Sequence, residues 1–179
     1  MDKEIQDKIF AKYPDMFGDK DKPMSETCMC WGLDVGAGWE HIIDHLCSQL
    51  DGLQKEYDIK VIFDQVKEKF GELRIYHHTE LGSRWTTDVD GNSLLDGKPE
   101  IEYVSCGWRH YGKTMPAYDG VDRLVSEIIT NAADFSSITC ENCGMTGATP
   151  SKAGWIKTEC DKCRNEKNEK APKKEEASS

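Results

Sequence analysis

Four cysteines carry the sharpest chemistry in this chain. Cys140-Glu141-Asn142-Cys143 and Cys160-Asp161-Lys162-Cys163 form two CxxC pairs separated by 16 residues, a spacing at which two tight turns bring four thiolates around one tetrahedral ion. The expected occupant is one structural zinc held by Cys140, Cys143, Cys160 and Cys163. Four thiolates leave no open position for a substrate, and metal binding worth about 10–16 kcal/mol would fold a segment too short to hold itself. Gly144 follows the first pair, where a metal knuckle needs positive φ. Gly147, Pro150 and Gly154 supply turns for a small hairpin that Trp155 and Ile156 are expected to pack. Arg164 to Lys170 suits a helix, with Glu166 and Lys170 at favourable spacing. The module is therefore expected to be a treble clef or a zinc ribbon.

Other groupings are weaker. His78-Thr79-Glu80 matches half of a zinc deaminase signature, but Thr139 stands where that signature has proline and Cys160 and Cys163 would be left without a role. Cys28, Cys30, Cys47 and Cys106 could form a second metal site with His41, His45, His77 or His78. Burial in the core is the better reading for them, because cysteine is among the most buried residues and Cys47 lies beside the apolar face of a helix. Gly36-x-Gly38 lacks the third glycine and the preceding strand of a phosphate-binding turn, and is read as the approach to a helix. Trp108-Arg109-His110-Tyr111, followed by Gly112-Lys113 and joined by Lys67, Lys69 and Arg74, is the only hint of a cationic aromatic surface and hence the candidate partner contact.

These groups need a scaffold, and apolar spacing supplies it. Residues 3–13 form a short helix with Ile5, Ile9 and Phe10 on one side, stopped before Pro14, and residues 14–27 are turn-rich. Trp39, Ile42, Ile43, Leu46, Leu50 and Leu53 mark one face of a helix of about four turns. Residues 60–66 and 73–77 read as two strands of a hairpin turning at Gly71, with Leu73, Ile75 and His77 on one face. Residues 79–100 show little periodicity and read as a long excursion containing a small hairpin around Asp90-Gly91, followed by an alternating strand from Ile101 to Cys106. Val121, Leu124, Val125, Ile128, Ile129 and Ala132 trace a second amphipathic helix.

The fold expected is α+β: a small antiparallel sheet packed by two amphipathic helices, with the four-cysteine module at the carboxyl end. Its parts are an amino-terminal helix and turn-rich segment (1–27), an α+β core (28–136) with an irregular insertion (79–118), the zinc module (137–166) and a disordered charged tail (167–179).

Charge bounds the partner. The 179 residues hold 33 acidic and 23 basic side chains, a net charge of −10, which disfavours a generic nucleic-acid binder. Residues 140–179 are near neutral, with eight Lys/Arg against seven Asp/Glu, whereas residues 1–139 carry 15 against 26. No stretch approaches the roughly 20 apolar residues of a bilayer span, and the amino terminus lacks the apolar core of a signal peptide, so a soluble cytoplasmic protein is expected. Eight cysteines in such a setting point to metal more than to disulfides.

At Val66-Lys67-Glu68-Lys69-Phe70-Gly71-Glu72-Leu73-Arg74-Ile75-Tyr76, together with Cys30-Trp31-Gly32 through Gly38-Trp39 and Cys140 through Cys160, the chain resembles a family of small uncharacterised proteins of tailed bacteriophages and prophages. The likeness covers residues 28–77 and 120–163. It implies a phage accessory protein acting in the infected bacterial cytoplasm, and it supplies no reaction. Such proteins often bind host machinery, which makes a non-enzymatic protein that binds and inhibits a host transcription or defence component the leading expectation. A nucleic-acid-binding regulator using the zinc module and the basic aromatic loop is the second, and a zinc-dependent enzyme of unrecognised type the third.

Overall fold

The computed structural model describes residues 1–103, 113–151 and 155–170. Helix α1 (Lys3–Lys12) has Glu4 in its first turn and Lys12 in its last, charges that match the helix dipole, and it ends ahead of Pro14. The turn-rich stretch that follows is more than a connector. Met16, Phe17 and Met29 are buried, and Phe17 lies edge-on to Phe63 with ring centroids 5.2 Å apart.

Strand β1 (Leu33–Asp34) leads through a short turn at Ala37–Trp39 into α2 (Glu40–Tyr57). Ile42, Ile43, Leu46, Cys47 and Leu50 of α2 are buried, the face that the apolar spacing marks. Strands β2 (Ile59–Lys69) and β3 (Glu72–Leu81) form the expected hairpin but run further than expected at both ends. Their loop is only Phe70-Gly71, both at positive φ (58° and 80°), the two-residue turn whose twist suits a tight hairpin. Leu73, Ile75 and His77 do share the inward face. The sheet order is β1-β2-β3, with β2 and β3 antiparallel and the two-residue β1 parallel to β2.

The described part of the stretch from 79 to 118 is more regular than the insertion expected, with the hairpin at Asp90-Gly91 and the strand at Ile101 in place as read from the sequence. β3 continues to Leu81, β4 (Trp85–Thr87) pairs with β5 (Ser93–Leu95) across the Asp90-Gly91 turn, and β6 (Glu100–Tyr103) pairs with β7 (Lys113–Pro116). Helix α3 (Ala117–Ser136) follows and packs on α2 and β3. Its buried residues include Val121, Val125 and Ala132. One core results, built from α1, α2, α3, the inner face of the hairpin, and Trp85 and Leu95 of the small hairpin. The chain closes with β8 (Thr149–Pro150), its antiparallel partner β9 (Thr158–Glu159), and α4 (Asp161–Lys170), which is helical past the expected boundary at 166. No helix among the described residues is long and apolar enough to cross a membrane.

Candidate metal centre

The first cysteine pair sits on a knuckle just after α3. The Cys140 N–H donates to Met145 O (2.8 Å) and the Gly144 N–H to Cys140 O (2.9 Å). This tight loop closes through Gly144 at φ 76°, in the left-handed region that favours glycine. The second pair straddles the start of α4, with Cys160 preceding it and Cys163 in its first turn. That position puts two sulfurs at the positive end of a helix dipole, which favours thiolates. The β8–β9 hairpin spans the gap between the pairs.

The four sulfurs converge. All lie within 4.8 Å of one another, and Cys143 Sγ is 3.7 Å from Cys160 Sγ. Metal–sulfur bonds of about 2.3 Å in a tetrahedron place sulfurs about 3.8 Å apart, so the set is compatible with a metal ion held by four thiolates. A sulfur separation of 3.7 Å is also far beyond a disulfide bond of about 2.05 Å. Cys140 is buried, Cys160 and Cys163 are half-buried, and Cys143 is exposed.

Electrostatics point the same way. Burial raises the Cys140 thiol, but backbone N–H groups of Cys160, Cys143 and Asn142 outweigh it and hold that thiol at about 7. Cys163 is pushed well up, by burial and then by the neighbouring thiols of Cys143, Cys160 and Cys140. Cys143 is also raised: the Met145 N–H favours its thiolate, but burial and the thiols of Cys140 and Cys160 prevail. Crowded thiols resist collective ionisation because each new negative charge repels the next. A cation at their centre removes that opposition.

The knuckle is docked on the body by backbone contact. Gly38 N–H donates to Glu141 O (2.8 Å), and Trp39 Nε1–H donates to Thr139 O (2.8 Å). A Cβ on Gly36 would collide with the Glu141 carbonyl, and one on Gly38 with the backbone of Cys140, Cys143 and Gly144. Gly36-x-Gly38 therefore does more than lead into a helix: it is the seat of the metal knuckle. The hairpin tip makes a second contact, where Thr158 Oγ1–H donates to Gly71 O (2.7 Å) and a Cβ on Gly71 would stand 2.7 Å from that hydroxyl. Glu141 N–H donates to Thr158 O (2.9 Å), joining the two contacts.

The remaining sequence candidates separate. Among the described residues the four cysteines are the only group of three or more ligating side chains placed to hold an ion. Cys47 is core, whereas Cys28 and Cys30 are only half-buried. His78 Nδ1 lies 2.8 Å from Asp64 Oδ1 on the outer face of the hairpin. Seven residue steps along the strand from the Gly71 tip that meets Thr158, His78 is about 23 Å from that contact, so His78-Thr79-Glu80 is not brought to the cysteines. Trp108, Arg109, His110, Tyr111 and Cys106 lie outside the described residues. Trp155 and Ile156 do not pack the small hairpin as expected: Trp155 is 76% exposed and donates its Nε1–H to Glu68 Oε2 (3.1 Å). They sit against Lys69 and Phe70 at the hairpin tip. Neither this cluster nor the buried Glu141 is singled out by the sequence, because their placement depends on the docking of the module. Compared with family models, curated proteins and solved structures, the chain gives no match.

Proposed function

We propose that the chain is a non-enzymatic zinc protein in which a treble-clef module braces an acidic body that binds a basic host protein. The observation that carries the metal reading is the convergence of four sulfurs from a knuckle and a helix's first turn, with a hairpin between them, at the spacing of tetrahedral coordination. That order of knuckle, hairpin and helix supports a treble clef over a ribbon. Four thiolates complete the coordination and leave no open position for a substrate, so the metal is structural. The surplus of 26 acidic over 15 basic residues in 1–139 supports a basic target. The resemblance to phage accessory proteins supports the infected bacterial cytoplasm as the place of action, with inhibition of a transcription or defence component as the outcome.

The test is capture from infected bacteria on the immobilised, zinc-loaded chain. A basic host protein retained at low salt and released by about 0.5 M salt is expected, because exposed charge attraction is screened over a few ångströms there. Retention indifferent to salt contradicts an electrostatic contact. Nucleic-acid binding is a second reading, favoured by Lys67 Nζ over the Tyr76 ring (5.0 Å) and Lys69 Nζ over the Phe70 ring (5.4 Å). A titration with single-stranded DNA and RNA at low salt decides it, and absence of binding removes it.

A further inference from the structure

We infer that the slot bounded by Asp34, Glu68, Glu141 and Trp155 binds the guanidinium of an arginine side chain presented by a protein partner. This rests on the reading of the acidic body as the partner-binding surface, and it names the place and the chemistry.

The slot is a hollow of about 300 Å³ where β1, the Gly36 turn, the end of β2 and the module meet. Its floor is Glu141, whose side chain is 5% exposed. Lys157 Nζ donates to Glu141 Oε1 at 2.8 Å, but Glu141 Oε2 is buried with no hydrogen-bond partner among the described residues. A buried carboxylate oxygen left without a donor carries an unrepaid desolvation cost, so a donor arriving from outside gains what the fold leaves unmet. Asp34 stands at the rim, exposed, and makes no ion pair among the described residues. Glu68 accepts from Gly71 N–H through Oε1 (2.6 Å) and from Trp155 Nε1–H through Oε2 (3.1 Å), which fixes the exposed indole beside the slot.

Among the described residues, three carboxylates and one ammonium leave the slot negative. The carboxylates do not converge as a metal site does, since only the four cysteines form such a group among the described residues. A bare ion would be too small to reach them together. A second ammonium would be a point charge beside Lys157. A guanidinium is flat, carries five N–H donors in a fork, and stacks on an indole while donating sideways to carboxylates. Glu141 Oε2 and Asp34 supply acceptors, and Trp155 supplies the face.

The experiment is fluorescence anisotropy of a labelled nonapeptide with three arginines spaced by glycine and serine, against the zinc-loaded chain at low salt. Lysine replaces arginine in a control peptide. Asp34→Asn and Trp155→Ala are the variants, chosen because both side chains are exposed, with zinc content confirming that the module is intact. The arginine peptide should bind about fivefold or more tightly than the lysine peptide, and each variant should erase about that factor. Equal binding of the two peptides, unchanged in the variants, overturns the slot and leaves the acidic-body reading standing. A wild-type chain that binds neither peptide overturns both.

Discussion

The body and the cysteine module are held together by different physics. The body buries a continuous apolar core, from Phe17 and Trp39 through Leu46, Leu50, Val61 and Phe63 to Val121 and Val125, and burial of that surface is sufficient reason for it to fold. The module buries Cys140 and Ala148 but little else that is apolar, and it leaves Met145, Trp155 and Ile156 outside. Its order comes from converging thiols, from ion pairs such as Lys157 with Glu141, from the backbone bond between Gly38 and Glu141, and from the Thr158 hydroxyl bonded to the Gly71 carbonyl. A hydrophobic core tolerates loss of one member; a four-ligand centre does not.

The largest expected effect separates the two. Cys160→Ser should abolish metal binding worth on the order of 10 kcal/mol and unfold residues 140–163, while the helical circular dichroism of α1, α2 and α3 persists. Acid should act on the same half. Cys143 and Cys163 are held protonated in the metal-free chain, so loading must release their protons, and metal affinity falls as pH drops. A chelator competition at about pH 7.5 and about pH 5.5 should show much weaker retention at the lower value; equal retention contradicts thiolate ligation.

Phe63→Ala strikes the other half. It removes a fully buried ring and should cost about 3–5 kcal/mol in denaturant unfolding, with the metal stoichiometry unchanged in the folded fraction. Gly38→Ala tests the joint, because its methyl group meets the knuckle backbone. It should destabilise by about 1–3 kcal/mol and lower metal affinity together; an effect on one property alone would show that the halves are not coupled there. The smallest effect is a gain. Phe70 holds φ 58° in the hairpin turn and is 63% exposed, so Phe70→Asn, which gives the Asn-Gly pair such turns favour, should stabilise the body by about 1 kcal/mol.

What the sequence disclosed follows the same division. The faces of α2 and α3 were legible because helical burial leaves a 3.6-residue rhythm, and the cysteine pairs because metal ligation demands residue type and spacing together. The reach of β2 and β3 beyond 60–66 and 73–77 was hidden by charged residues on an outer face that needs no apolar pattern. Between 79 and 118 the hairpin turn at Asp90-Gly91 and the strand from Ile101 were legible, whereas β7, four residues long, is too short for alternation to emerge. Most of all, the knuckle sits on Gly36 and Gly38 through contact between backbones, and the hairpin's Thr158 hydroxyl sits on the Gly71 carbonyl, so the docking leaves only glycines in the sequence. The exposure of Trp155 and the burial of Glu141 follow from that docking.

Whether a metal-held module sits on an independently folded body is read from ¹H–¹⁵N correlation spectra of the zinc-loaded chain before and after chelation, with zinc counted by elemental analysis. One zinc per chain is predicted. Its removal should collapse the resonances of residues 140–163 and shift those of Gly36, Gly38 and Gly71, while the core of α2 and α3 stays dispersed. A chain with no bound metal, or one whose resonances at 140–163 survive its removal unchanged, would contradict the account.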